Sequence, residues 1–255
     1  MPRILRVAGA ATLALALLAP TAAVADYWRS TDDSRDVEGF NYDPEPAPCG
    51  TVTELDGSGD TNTDITRLGV RHTRRALVVT TRFRDLKVAR EQNLSINIRT
   101  STEGYELDLY REAPSTGAWQ VYTDLWTEPD YPDPDDVPEC EGFGVVSHGV
   151  TCRIGRRIDF ANDLIRLTVP RPCLENPRWV RIAAGSSRFL DHGSTFDIYF
   201  DEWDGGARLN YWLPPFGPRV RATAGAPIGV SAAQRSTAVV RRHFVVGHDR
   251  IFARR

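Results

Sequence analysis

The sequence predicts an all-β protein, an antiparallel two-sheet β-sandwich of about eight strands, jelly-roll or immunoglobulin-like. Three observations predict it. Apolar and polar residues alternate with a period of two over many short runs, as in strands with one buried face. Glycine, proline, asparagine and serine separate these runs at short intervals. No amphipathic helical pattern links them, so neighbouring strands are expected to pair antiparallel.

The alternating runs follow one another along the chain. The clearest run lies between Ala76 and Asp85, where every second residue is apolar or threonine. Runs with the same period are centred on Ile96, Leu107, Val121, Leu167, Ile182 and Ile198. Each run predicts a half-buried strand, and together they supply two sheets that cover one core.

The first 25 residues predict an export signal. Arg3 and Arg6 give a positive start, and an apolar run follows from Val7 to Ala19. Ala23-Val24-Ala25 then forms the small-x-small pattern of a cleavage site. The run is too short for a membrane span. We therefore expect a secreted, extracellular protein without a membrane span.

The charge distribution divides the rest of the chain. The chain has a net charge of −3, yet residues 219–255 contain eight arginines and a single acid. An acidic body with a basic end predicts two regions with different surroundings. The expected organisation is a signal peptide (1–25), an extended N-terminal segment (26–48), the sandwich domain (49–220) and a basic, flexible C-terminal tail (221–255).

The four cysteines predict two disulfides, because an even number in an exported chain is typical of a disulfide framework. One pairing joins Cys152 to Cys173 across the two ends of a predicted hairpin, which leaves Cys49 with Cys140. The rival pairing joins Cys140 to Cys152. No cysteine or histidine spacing suits structural zinc.

A first candidate site is the acidic segment from Asp56 to Asp64. Oxygen-bearing side chains stand at every second position, and calcium prefers six to eight oxygen ligands. The expected metal ligands are Asp56, Ser58, Asp60, Asn62 and Asp64. The alternative is a tight acidic turn that leads into the strand near Ile65, because aspartate, asparagine and glycine form turns without a metal.

The stretch DITRLGVRHTRRALVVTTRFRDL, from Asp64 to Leu86, follows this acidic segment. Over residues 56–86, the combination of an acidic loop, a strand, a short turn at Arg74-Arg75 and a second strand resembles DOMON-like domains and family-nine carbohydrate-binding modules. The resemblance implies a jelly-roll-like sandwich and a sugar, haem or calcium ligand. The aromatic ligand residues of those families have no matching motif in this chain.

A second candidate site surrounds the stretch Asp197 to Gly206. On a strand, alternate residues of this stretch would form one face of carboxylates and aromatic rings, which can bind sugars. The expected ligand-binding residues are Asp197, Tyr199, Asp201, Trp203, Tyr211 and Trp212. The alternatives are an ordinary solvated sheet face, or a pair of acids that acts as in a glycosidase.

No residue is assigned a catalytic role, since the chain lacks a G-x-S-x-G elbow and a cofactor fingerprint. The expected function is a secreted, non-catalytic binding or adhesion module for an extracellular polymer or carbohydrate, with calcium as its candidate cofactor. The alternatives are a small secreted hydrolase that uses carboxylates and a structural cell-envelope protein. The protein is expected to be a monomer that does not bind nucleic acid.

Overall fold

The computed structural model describes residues 26–45, 47, 50–113, 118–128, 142–203, 215–222, 234–246 and 249–251. Within these ranges the chain forms sixteen β-strands, and its helical structure is a short 3-10 turn at Arg171–Leu174. The all-β prediction is confirmed, with more strands than the eight or so expected. The strands are β1 (Asp26–Thr31), β2 (Glu38–Asp43), β3 (Thr51–Asp56), β4 (Ile65–His72), β5 (Ala76–Phe83), β6 (Gln92–Thr100), β7 (Gly104–Glu112), β8 (Gln120–Thr127), β9 (Gly142–Thr151), β10 (Gly155–Asp159), β11 (Leu164–Pro170), β12 (Trp179–Asp191), β13 (Phe196–Glu202), β14 (Val220–Arg221), β15 (Gln234–Val246) and β16 (Asp249–Ile251).

The strands form two antiparallel sheets packed together, which confirms the predicted β-sandwich. The small sheet has five strands in the order β1-β4-β5-β11-β10. The large sheet has eleven strands, with the order β16-β15-β9-β8-β7-β6-β12-β13-β2-β3 and β14 paired to β12. Where the two sheets pack together, each strand has one face toward the other sheet and one face outward.

The core lies between the two sheets and follows the predicted alternation. Leu77, Val79 and Phe83 of β5 are almost completely buried, and Ile96 and Ile98 of β6 lie against them in the same apolar cluster. Burial of each such side chain contributes about 1.5–3 kcal/mol to folding. The hydrophobic core thus fixes which face of each strand points inward.

The N-terminal segment, expected to be extended over residues 26–48, contributes strands to both sheets. Its strand β1 pairs with β4 in the small sheet, whereas β2 pairs with β13 and β3 in the large sheet. The connection at residues 32–37 therefore passes from one sheet to the other. Strands β15 and β16 fall within the segment that was predicted as a flexible tail, and β15 pairs with β9.

Cys152 and Cys173 form a disulfide, as the first of the two predicted pairings expects. The bond joins the residue that follows β9 to the 3-10 turn after β11, and both cysteines pack against the core. Cys49, Cys140 and the predicted export signal lie outside the described residues. Among the described residues, no helix has the length and hydropathy that a membrane crossing requires.

Candidate functional site

Four aspartates from three separate segments meet where the chain crosses between the sheets. Asp32 and Asp36 lie in the connection between β1 and β2, Asp64 directly precedes β4, and Asp201 lies on β13. We call Asp32, Asp36, Asp64 and Asp201 the four-aspartate cluster. Because β4 belongs to the small sheet and β13 to the large one, the cluster bridges both layers of the sandwich.

Hydrogen bonds from the backbone hold these residues in place. The amide of Ile65 donates to Oδ2 of Asp201 at 2.5 Å, which ties the start of β4 to β13. The amide of Arg35 donates to Oδ2 of Asp64 at 2.7 Å, and Arg35 has a φ of 73°. A non-glycine residue rarely adopts this left-handed conformation, so the connection between β1 and β2 is bent to reach Asp64.

The carboxylates converge at short range. One carboxylate oxygen from each of Asp32, Asp36 and Asp201 lies within 4.8 Å of the other two. Asp64 and Asp201 have no exposed surface. On each of these two residues, and on Asp36, Oδ1 is buried and accepts no hydrogen bond from the described part of the chain.

Burial and, to a smaller extent, the nearby negative charges raise the pKa values of these acids. Burial, with smaller contributions from Asp36, Asp32 and Asp64, raises the pKa of Asp201 to about 8. Burial also raises the pKa of Asp64, which Arg84 and the Arg35 amide partly offset. Arg84 forms an ion pair with Asp64 at 2.9 Å. When the carboxyls of Asp32, Asp36, Asp64 and Asp201 are all ionised, the other three repel the charge of Asp201.

These features fit a hard divalent cation. Calcium is bound by oxygen ligands at about 2.3–2.6 Å, so two oxygens on one ion lie at most about 5 Å apart. The 4.8 Å limit for Asp32, Asp36 and Asp201 meets this condition. A cation there would neutralise the buried charge and give a partner to the free Oδ1 atoms of Asp36 and Asp201.

The predicted metal ligands of the acidic segment use most of their oxygens within the protein. Oδ1 of Asp56 accepts from the amide of Ser58, and Oδ1 of Asp60 accepts from the amides of Asn62 and Thr63. Asp60 also forms an ion pair with Arg188. Oδ1 of Asn62 accepts from the amide of Lys87. Of the five predicted ligands, Asp64 is the residue that the fold brings to the four-aspartate cluster.

The predicted ligand face around β13 has a different environment from the one expected. Trp203 is 3% exposed and packs edge-on against Trp28, with ring centroids 4.9 Å apart, so it has no exposed ring on which a sugar could stack. Asp197 accepts hydrogen bonds from Asn41 and His192. Tyr199 lies beneath the guanidinium of Arg188. Tyr211 and Trp212 lie outside the described residues.

Glu202 is a half-buried acid beside Asp201 on β13, and desolvation together with the charge of Glu38 raises its pKa to about 7. Successive residues of a strand point to opposite faces, so the carboxyls of Asp201 and Glu202 diverge. The hydrolase alternative requires two carboxyls that face one substrate. This neighbouring pair does not meet that requirement.

Sequence reasoning missed Asp32 and Asp36. They lie in the stretch DDSRD at residues 32–36, which reads as a polar linker because it has neither alternation nor a metal-binding spacing. The available signal was three acids within five residues. Those acids indicate a metal site only once the fold brings Asp201, more than 160 residues later in the chain, next to Asp32 and Asp36.

Comparison of the chain with protein-family models, with curated proteins and with solved structures found no match. The resemblance of residues 56–86 to DOMON-like domains therefore stays a prediction. What the protein does has to follow from the chemistry of its own residues.

Proposed function

We propose that this chain is an exported, non-catalytic β-sandwich binding module that holds a calcium ion between its two sheets at the four-aspartate cluster. The observation that carries the proposal is Asp201. Its carboxylate is fully buried, its Oδ1 atom accepts no hydrogen bond within the described chain, and oxygens of Asp32 and Asp36 lie within 4.8 Å. A buried carboxylate normally has a paired charge or a metal.

Calcium suits the cluster better than other common ions. The ligands are oxygens, whereas zinc favours sites with nitrogen or sulfur ligands. Magnesium demands nearly ideal octahedral geometry and retains several waters, which a buried carboxylate such as Asp201 does not favour. Calcium accepts irregular sets of carboxylates, and the two chain segments at Asp36 and Asp201 supply such a set.

The ion would act as a link between layers. Asp32 and Asp36 belong to the connection that leads from the small sheet to the large one, and Asp201 belongs to the large sheet. A cation bound to all three would fix the N-terminal strands to the rest of the sandwich. The predicted export signal and the disulfide Cys152–Cys173 support a setting outside the cell, where calcium is abundant.

Thermal unfolding of the purified protein, with calcium and with a chelator, tests the proposal. Calcium should raise the unfolding midpoint of the wild type by several degrees, because an ion that binds only the folded state stabilises it. Asp36→Asn and Asp201→Asn should abolish the rise. Asp56→Asn is the matched control and should retain it, because Asp56 is satisfied within its own turn.

The chelated proteins give a second readout. Without calcium at neutral pH, Asp201→Asn should unfold at a higher temperature than the wild type. Asp201, with its pKa of about 8, has to take up a proton when the protein folds, whereas the amide does not, and the amide oxygen still accepts from Ile65. The absence of a calcium-dependent rise in the wild type would refute the proposal. Loss of that rise in Asp56→Asn alone would move the site to the acidic segment.

A further inference from the structure

The outward face of the small sheet is basic, although the body of the protein is acidic. The strand register places six arginines on this face: Arg29, Arg67, Arg71, Arg82, Arg157 and Arg166. We call these six residues the arginine face. Arg67 is half-buried and the other five are exposed. One acid, Asp159, shares the outward positions of the five strands.

The pairing between strands sets like charges against each other. Arg67 lies directly opposite Arg82, and Arg157 lies directly opposite Arg166. Like charges in directly opposed positions destabilise a sheet. Arg157 pairs with Asp159, whereas none of the other five arginines forms an ion pair with an acid in the described part of the chain. The fold therefore tolerates an electrostatic cost that an anionic partner would offset.

The other surface of the sandwich carries both signs of charge. On the outward side of the large sheet, Glu106 lies on β7 and Asp124 on β8, whereas Arg99 of β6 lies directly opposite Arg181 of β12. The arginine face, by contrast, has six arginines and a single acid among its outward positions. A face of one charge sign steers a partner of opposite sign toward it.

The chemistry of the arginine face indicates what kind of anion it fits. Arginine donates two parallel hydrogen bonds to a carboxylate or sulfate, which a lysine cannot do. The hydroxyls of Thr31, Thr80 and Thr168 also occupy outward positions on these strands and can bond to the hydroxyls of a sugar. Five strands at a spacing of about 4.8 Å span roughly 19 Å. A face of this width can contact several sugar units of an extended polymer.

We infer that the arginine face binds an acidic polysaccharide, a polymer of sugars that carry carboxylate or sulfate groups. The inference rests on the proposal that the chain is an exported binding module, and it is independent of the calcium site. The face lacks the exposed aliphatic residues with which a peripheral protein enters a bilayer, since Tyr27 is its one large exposed apolar side chain in the described strands. Acidic polysaccharides are therefore favoured over lipid headgroups.

Affinity electrophoresis through gels that contain hyaluronate, dextran sulfate or uncharged dextran tests the inference, with calcium present throughout. The wild type should be retarded by both acidic polymers and not by dextran, and added salt should weaken the retardation. Arg71→Glu combined with Arg166→Glu should reduce the affinity by about tenfold or more. Both residues are exposed, and they lie on different strands of the face.

The control combines Arg90→Glu with Arg178→Glu, two exposed arginines outside the small sheet, and changes the net charge by the same amount. It should bind the acidic polymers as the wild type does. Equal losses in both double variants would show that net charge alone governs binding and would overturn the inference. So would an absence of retardation, or binding to phosphatidylglycerol vesicles or DNA without binding to the acidic polysaccharides.

The calcium-dependent rise in the unfolding midpoint separates this inference from the proposed calcium site. Both double variants should retain the rise, since neither changes the four-aspartate cluster. Loss of polymer binding with a normal calcium response confirms the arginine face. A normal calcium response without any polymer binding refutes the arginine face and leaves the calcium site intact.

Discussion

Two acidic regions of this protein look alike in sequence and differ in structure. The segment Asp56 to Asp64 contains the densest spacing of oxygen-bearing side chains. Apart from Asp64, which belongs to the four-aspartate cluster, its acidic and amide side chains bond within the turn or to Arg188 and Lys87. The four-aspartate cluster draws on distant segments, and three of its Oδ1 atoms are buried without a hydrogen bond from the described chain.

The difference shows that the density of oxygen atoms does not define a metal site. A site requires oxygens that the protein itself leaves unsatisfied, because a cation must replace both its own hydration and any existing hydrogen bonds. Asp60 already forms an ion pair with Arg188. Asp201 has one backbone amide and three acidic neighbours.

The largest expected effect is the pH dependence of the calcium-free protein. The pKa of Asp201 is raised from 3.8 to about 8, so the folded state keeps a proton that the unfolded state has already released. Each pKa unit corresponds to about 1.4 kcal/mol. Stability in chelator should therefore be greatest near pH 4 and should fall as the pH rises toward 8.

Calcium should reverse this trend, because the ion takes the place of the proton and binds more tightly as the carboxyls ionise. The measurement is the unfolding midpoint at pH values from 5 to 8, with and without calcium, because the contribution of Asp201 to stability changes within this interval. The Asp201→Asn variant should lose the part of the pH dependence that Asp201 contributes in chelator and should keep the smaller part from Glu202, whose pKa is raised to about 7. A stability that rises with pH in chelator would contradict the electrostatic description of the cluster.

A pair of arginine substitutions gives the next largest effect and compares the two regions directly. Arg84→Met leaves Asp64 without its ion pair, and Arg188→Met does the same to Asp60. Each should lower the free energy of unfolding by about 3 kcal/mol, because a buried carboxylate loses its counter-charge. Urea titrations of both variants measure this loss.

Calcium distinguishes the two variants. It should restore a larger part of the stability of Arg84→Met than of Arg188→Met, because only the first substitution increases the negative charge at the cluster. Equal responses to calcium in the two proteins would mean that the two acidic regions do not differ as the structure indicates.

The smallest effect concerns two glycines of the acidic segment. A Cβ atom at residue 57 would lie 2.4 Å from the carbonyl oxygen of Val37, whereas one at residue 59 would have no neighbour within 4 Å. Gly57→Ala should cost about 1–3 kcal/mol through steric strain. Gly59→Ala should change stability by less than about 0.5 kcal/mol and leave the calcium response unchanged. A large loss of stability in Gly59→Ala would contradict the expectation that steric contact with a Cβ atom sets the cost at these two glycines.

Much of the fold could be predicted from the sequence, because strand alternation is a local property. The runs around Val79, Ile96 and Leu107 form strands whose apolar residues face the core, as the period of two requires. The disulfide Cys152–Cys173 is one of the two pairings that the cysteine positions left open, and the structure selects it. The sites were harder to predict, because a site depends on which strands become neighbours.

Trp203 illustrates that difficulty. An aromatic residue beside acids on a strand favours a sugar-binding face, but the alternation of β13 does not say which of its faces turns inward. The structure places Trp203 against Trp28 of β1, in the core. Asp201 lies on the same inward face of β13. The contact between the sheets buries Asp201, and this burial makes Asp201 a candidate cation ligand.

The sequence by itself determined the all-β class and the alternation that selects the core residues, since both depend on interactions between near neighbours. The tertiary structure decided that β1 and β2 belong to different sheets, that their connection brings Asp32 and Asp36 to Asp201, and that six arginines share one outward face. Those outcomes depend on the order of strands within each sheet. Strand order is set by packing across the whole sandwich, which the local pattern of residues does not contain.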